Sequence, residues 1–504
     1  VRALKPLALA SLAGVLPLVL TGGVAPAAGH TGPGGGWSGM WLSGTTATDT
    51  TSVVTTLKQV RTAIGADTGA AATLTGKGVG IALIDTGVAP VPGIPAAQVV
   101  NGPDLSFESQ SPSLRYLDTY GHGTHMAGII IGNDAATGTK GIAPGAKLTS
   151  IKVGTSNGAV DVTQMIAAID WVVKNRNHDP ANPIKIISLS YGTGGNPEVW
   201  NDPMTLAVQQ AWKAGITVVA AAGNQGNGYG RLTHPAQGTS VIAVGAANTY
   251  GTTTTADDEL SAYTNLSSNG RPLDVLAPGT SIPSLRVPGS NIDLTFPKAR
   301  SGDTLFRGSG TSQATAVTAA AAALVLQARP SLTPLQLKYL LINGTYLSKG
   351  VAATLGTKEI NVSMALAGPA ATGSGAIGES TGTGMLDSTR GSSRVSADGV
   401  QLSGQNTIFG PFDTNTWSTR AKAQTTWSGG VWLGYRMAGD GWTGTSYAAK
   451  TWAPATWPGG SWGGTKNWTD PSWSGRAWSG RAWSGATWSG RFWSTDDWST
   501  ARWG

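Results

Sequence analysis

Four short stretches hold side chains suited to hydrolysis by a hydroxyl nucleophile. That chemistry needs a hydroxyl, an imidazole to take its proton, a carboxylate to orient the imidazole, and donors for the oxyanion. Ser312 stands in Gly308-Ser309-Gly310-Thr311-Ser312-Gln313-Ala314-Thr315-Ala316, where a glycine-rich loop turns into an Ala-rich helical pattern. A hydroxyl at a helix N-terminus meets free backbone N–H groups and the positive end of the dipole, which favour developing negative charge. His122 lies in Gly121-His122-Gly123-Thr124-His125-Met126-Ala127-Gly128, whose small residues predict close packing beneath an accessible ring. Asp85, in Ile84-Asp85-Thr86-Gly87, and Asn224, in Ala220-Ala221-Ala222-Gly223-Asn224, each follow an apolar run. Taken singly, three of them have a plain structural reading: a helix cap for Ser312 and turn residues for Asp85 and Asn224. Of the other histidines, His125 reads as structural and His30, His178 and His234 as surface or loop residues.

The elements that must position these groups alternate between strand and helix. Val79 to Ile84 is a short continuous apolar run bounded by glycines, the signature of a strand buried on both faces. Similar runs recur at Leu148 to Val153, Ile184 to Leu189, Ile216 to Ala222 and Val241 to Val244. Helical patterns at Val162 to Val173 and Met204 to Lys213 lie between several of them, with more at Ser312 to Gln327 and Pro334 to Ile342. One short helix is expected within Val53 to Ile64. The alternation predicts a mostly parallel sheet covered on both sides. In such sheets ligands gather at the carboxyl ends of the strands, where Asp85 and Asn224 stand.

Read together in the order Asp, His, Asn, Ser, the four stretches resemble the subtilases, the subtilisin-like serine peptidases, whose triad order is Asp, His, Ser. D-T-G, H-G-T-H-x-A-G, A-A-G-N and G-T-S-x-A-T are that family's motifs, and the resemblance runs from about residue 65 to 367. It implies an α/β fold of three layers, α/β/α, around the parallel sheet, and a serine-type endopeptidase. It implies Ser312 as nucleophile, His122 as general base and then acid, Asp85 as orienter, and Asn224 with the Ser312 N–H as oxyanion donors. It also implies that Ser188, Leu189 and Ser190 form the strand that pairs with extended substrate, and that Ala221, Ala222 and Gly223 form the S1 wall. Two positions depart from the family pattern. Ala316 replaces the usual proline, and Gln313 the usual apolar residue. Neither removes a group the mechanism needs. No cofactor is required for that chemistry. Calcium often supports the fold, but the sequence assigns it no ligands.

The ends of the chain differ from this middle. Arg2 and Lys5, then the apolar stretch Leu7 to Leu20, then Ala25-Pro26-Ala27, read as a signal peptide over 1–27 and predict a secreted, extracellular protein. Residues 28–75 read as an arm or short pro-segment and 76–367 as the peptidase domain. Residues 368–411, rich in Gly, Ser and Thr, read as a linker, and 412–504 as a Trp-rich repeat region. There tryptophans recur every five residues in Trp-Ser-Gly-x-x units, and the chain's 20 tryptophans concentrate in it. A step of five suits neither a helix face nor a strand face. The repeat therefore reads either as a stacked solenoid or as a low-complexity tail. One reading gives it contact with cell-wall polysaccharide or the envelope, even to the point that the chain is chiefly a binding scaffold. The other has it pack on the catalytic domain or stay disordered. The absence of cysteine excludes disulfides, thiolate metal sites and a cysteine nucleophile. A net charge of +7 spread thinly over 504 residues gives no basic cluster for nucleic acid, and the expected substrate, polypeptide, is the one the resemblance implies.

Overall fold

The computed structural model describes residues 54–110, 114–156, 158, 160–268, 270–346, 356–370, 378–391, 394–397, 400–428, 430–436 and 494–495. The leader, residues 28–53 of the arm and nearly all of the repeat beyond 436 lie outside these. Among the described residues no helix is long and apolar enough to cross a membrane.

The apolar runs form the strands expected of them. In chain order the central ten-stranded sheet contains β1 (Gly80–Asp85), β2 (Val99–Asp104), β3 (Lys147–Lys152), β4 (Ile184–Leu189), β5 (Thr217–Ala221) and β6 (Ile242–Asn248). Four further strands complete it: β7 (Glu259–Leu260), β8 (Val275–Pro278), β9 (Thr345–Tyr346) and β10 (Lys358–Glu359). Their spatial order is β9-β10-β8-β6-β5-β4-β1-β3-β2, with β7 on β6. Every neighbouring pair from β10 across to β2 is parallel. Only β9 and β7 run antiparallel.

The parallel strands read as unbroken apolar runs because alternate residues enter two different cores. Ala82 and Ile84 of β1, with Val218 and Ala220 of β5, join the core under helices α3 (Val162–Asn175) and α4 (Pro203–Lys213). Ile81 and Leu83, with Val219, join the opposite core with α1 (Leu57–Ala63), α2 (His122–Ile131), α6 (Thr311–Ala328), α7 (Pro334–Leu341) and α8 (Val362–Ala367). The result is the three-layer α/β/α arrangement expected. Helix starts are set by side-chain caps: Thr56, Asp161 and Thr333 close capping boxes with Gln59, Gln164 and Gln336. A segment with the short helix α5 (Asn291–Thr295) abuts the stretch before α2, its N–H groups at Asn291 and Ile292 donating to the Thr119 and Tyr120 carbonyls.

The stretch that composition marks as a linker folds where it is described. Helix α9 (Leu386–Arg390) buries Leu386, Thr389 and Arg390. The Arg390 guanidinium reaches Asp161 at 2.8 Å and Asp387 at 3.0 Å with none of its side chain exposed. Thr389 donates to Asp202, and Ser380 to the Asp202 carbonyl. Glycine in this stretch does not signal freedom. It lets the backbone lie close on the domain, as where a Cβ on Gly384 would come 2.8 Å from the Asn201 carbonyl oxygen. The chain continues as a strap through α10 (Thr414–Lys422) to a small antiparallel meander of β11 (Trp427–Ser428), β12 (Val431–Trp432) and β13 (Tyr435–Arg436). Trp417 and Trp432 both donate to one Asp170 carboxylate oxygen on α3, at 2.8 and 3.0 Å, and Trp427 to the Ala167 carbonyl at 2.9 Å. The start of the Trp-rich region is thus part of the core beneath α3.

Candidate active site

Asp85 is the last residue of β1 and His122 the first of α2, and both are buried. Their approach depends on two glycines. Gly121 caps α2 at φ +106°, a conformation that side-chain-bearing residues avoid. A Cβ on Gly123 would stand 2.1 Å from the Gly87 carbonyl oxygen, so only glycine lets α2 close on the Asp85 turn. With that closure, His122 Nδ1 lies 2.8 and 3.0 Å from the two Asp85 carboxylate oxygens. The Thr86 N–H also donates to Asp85 Oδ1, at 2.7 Å.

A second carboxylate, Asp118, fastens this corner. It accepts from the Thr86 hydroxyl (2.8 Å) and from the N–H groups of Gly121 (2.6 Å) and Thr124 (2.7 Å). The Thr86 hydroxyl in turn accepts the Gly123 N–H at 2.8 Å. Burial pushes the Asp118 carboxyl above its ordinary range, and those donors pull the other way. Lys152, level with Asp85 on the adjacent strand β3, is buried too. Its ammonium donates to the Thr86 carbonyl at 2.7 Å and pairs with Glu108 at 2.9 Å. Sequence reading passed over Asp118, Thr86 and Lys152. The one available signal was that Asp118 stands four residues before His122.

Ser312 is the second residue of α6, in the first turn, whose N–H groups have no carbonyl one turn back. The Ser190 hydroxyl reaches the Ser312 carbonyl at 3.5 Å. Asn224 is tied to the same turn. Its Oδ1 accepts from the Thr311 N–H at 2.9 Å and from the Thr311 hydroxyl at 3.1 Å. Both acceptor contacts fall on one end of the amide, so its NH2 end points elsewhere. That Nδ2 is buried and meets no protein acceptor. Thr311, also missed in sequence, orients Asn224, and its hydroxyl accepts the Gly223 N–H at 3.2 Å. Helices α2 and α6 pack against each other, which brings the His122 and Ser312 ends of the two helices to one side of the sheet.

The other histidines divide differently from expectation. His125 is structural as read: its Nε2 lies 3.0 Å from the Phe306 carbonyl. Burial, and then His122, lower its pKa to about 3, so it stays neutral. His178 caps the end of α3 through the Asn175 carbonyl. His234 is not a surface residue. It is buried, with Nε2 2.7 Å from Asp202, the carboxylate that also caps α4 and holds Thr389. His30 lies outside the described residues.

The assigned substrate strand stands at the end of β4. Ser188 and Leu189 are its last two residues, in register with Leu83 and Ile84 of β1 and with Val219 and Ala220 of β5. Ser190, Tyr191 and Gly192 follow the last paired residue. The Ile-Ser-Leu-Ser-Tyr pattern carries no mark of where the ladder ends. Ala221, Ala222 and Gly223 run off the end of β5 toward Asn224 and are pinned by Thr233, whose N–H and hydroxyl donate to the Ala222 and Ala221 carbonyls. Among the described residues no group of three or more His, Cys, Asp or Glu side chains is placed to hold a metal ion.

The sequence has extensive similarity to known proteins. Serine protease AprX of Bacillus subtilis (strain 168) is 38% identical over 283 residues, 54% of this chain and 62% of that protein. Minor extracellular protease Epr of the same organism is 34% identical over 265 residues, 53% of this chain and 34% of that protein. The chain therefore spans less than two thirds of both. Subtilisin Savinase of Lederbergia lenta is 32% identical over 292 residues, 58% of this chain and 92% of that protein. Among solved structures, fervidolysin from Fervidobacterium pennivorans, described as a keratinolytic enzyme related to subtilisin, is 24% identical. Its TM-score is 0.48, over 62% of this chain and 45% of that one. The family model for the subtilases, peptidase S8, matches residues 76–392, more than half of the sequence and all four motif stretches, and the chain belongs to that family.

Proposed function

We propose that the chain is a serine endopeptidase that hydrolyses peptide bonds in polypeptide substrates. Ser312 Oγ attacks the scissile carbonyl while His122 takes its proton, and His122 then gives that proton to the leaving amine. Asp85 holds the His122 ring through Nδ1 and stabilises the imidazolium. Asn224 Nδ2 and the Ser312 N–H receive the oxyanion, which is stronger than the carbonyl it replaces and so rewards donors fixed in advance. The observation that carries this reading is the Asn224 amide: Thr311 holds its acceptor end, and its donor end is buried without an acceptor. The extended substrate lies along Ser188 to Ser190, at the end of β4, and its S1 side chain against Ala221 to Gly223. Export is proposed from the N-terminal pattern of the sequence and agrees with the extracellular relative Epr.

The test is cleavage of casein by the purified protein and by Ser312→Ala, with labelling by a serine-directed phosphonate. Wild type is expected to cleave and to label at Ser312, and the variant to do neither. The expected loss of turnover is on the order of 10⁶, the scale known from the relative subtilisin. A folded wild type that neither cleaves nor labels refutes the assignment.

A further inference from the structure

One polar atom beside Ser312 has no task in the scheme above. Gln313, where the family pattern has an apolar residue, is 2% exposed, and its Oε1 has no hydrogen-bond donor within reach. Buried polar atoms are nearly always paired. The helix offers Oε1 nothing: Thr315 donates to the Thr311 carbonyl and Thr318 to the Ala314 carbonyl, each at 2.8 Å, and Ala314 and Ala316 carry no polar group. Asn224 Nδ2 is the matching case, a buried donor without an acceptor. Their anchors on α6 flank Ser312 in sequence: Asn224 is fastened to Thr311, and Gln313 stands two residues further on, about 200° around the helix axis. A donor without an acceptor and an acceptor without a donor, anchored at the residues before and after a nucleophile, are the complement of a peptide group, which offers one C=O and one N–H.

We infer that Gln313 Oε1 accepts a hydrogen bond from the N–H of the scissile peptide bond and is a substrate-positioning residue for the leaving amine. This rests on the reading of Ser312, His122 and Asn224 given above. In acylation the Ser312 Oγ–carbon bond forms and the carbon–nitrogen bond breaks. The serine proton passes to His122 and from there to the departing nitrogen. That nitrogen must present its lone pair to His122 and already carries one hydrogen. Holding this hydrogen toward Gln313 turns the lone pair toward the imidazole. The interaction gains weight as the nitrogen becomes tetrahedral, so it acts in the transition state more than in binding.

An ester has no leaving-group N–H, and this makes the inference separable. Wild type, Gln313→Met and Gln313→Glu are compared on a peptide amide and on the alkyl ester of the same acyl peptide. Methionine keeps the length of the side chain and removes the acceptor, whereas glutamate keeps an acceptor oxygen. For Gln313→Met the amide-to-ester ratio of kcat/KM is expected to fall on the order of tenfold, mainly through kcat. Gln313→Glu is expected to restore most of the ratio. Turnover of the ester shows that each variant is folded. A ratio that does not move in Gln313→Met, or that falls equally in Gln313→Glu, overturns the role of Gln313. A wild type inert to both substrates overturns the peptidase reading itself, and the role of Gln313 with it.

Discussion

Arg390→Met should be among the most damaging single substitutions outside the proposed catalytic corner. The guanidinium is fully buried and its five donors are distributed over four groups. Nε and Nη2 face the two oxygens of Asp161, at 2.8 and 3.3 Å. Nη1 meets Asp387 at 3.0 Å and the Gly404 carbonyl at 2.9 Å, and Nη2 also meets the Asn406 carbonyl at 2.8 Å. Asp161 has no exposure either and would keep only uncharged partners, the Thr163 N–H and hydroxyl and its capping-box contact with Gln164. Methionine fills much of the space but leaves that carboxylate without a counter-charge. Breaking a buried pair in this one-sided way costs about 3–5 kcal/mol. The assay is guanidinium unfolding in a Ser312→Ala background, which removes self-cleavage, read as a shift in midpoint at constant slope. Asp161→Asn is then added. If the cost is the stranded charge, the double variant is more stable than the sum of the single changes by more than about 0.5 kcal/mol. A loss below about 1 kcal/mol in Arg390→Met, or additivity in the double variant, refutes the argument.

Asp170→Leu leaves the indole N–H groups of Trp417 and Trp432 unmet, at about 1–3 kcal/mol each. Asp170→Asn keeps an acceptor and should be milder, and equal melting temperatures for the two variants would refute the anchoring role. Asp258 and Glu359 form a buried pair whose carboxylate oxygens meet no protein donor. Burial raises Asp258 to about 6, and burial with the Asp258 charge raises Glu359 well above the usual range. Groups with raised folded pKa values favour the fold at low pH and lose that advantage as pH rises through those values. Glu359→Gln should therefore gain melting temperature relative to wild type as pH rises from about 5 upward, and a difference that is flat with pH would refute the coupling.

The parts of the fold legible in the sequence were those governed by local pattern. Glycine-bounded apolar runs became β1 and β3 to β6, because residues facing two cores leave no polar alternation. Asp85, His122, Asn224 and Ser312, the residues proposed for catalysis, stood out only together, because four short motifs fall in one order along the chain. What escaped depended on partners remote in sequence. Arg390 is a buried residue only because Asp161 lies 229 positions away, and nothing near either one announces the pair. His234 looked like a loop histidine until Asp202 closed on it. Asp118 and Thr311 were hidden for the opposite reason: they adjoin the residues proposed for catalysis and are commonplace types.

The strap bears on the order in which the molecule is made. Trp432 and Asp170 are 262 positions apart, so the chain passes Ser312 and completes every strand of the central sheet before the residues that cover α3 exist. Until Trp432 has emerged, α3 presents an apolar face and an unsatisfied carboxylate to solvent. Distant contacts of this kind form slowly and leave sticky intermediates. A nascent chain of this protein therefore passes through a stage at which its central sheet is complete and its outer layer is missing. A cut between Gly391 and Trp417 would return a finished molecule toward that stage.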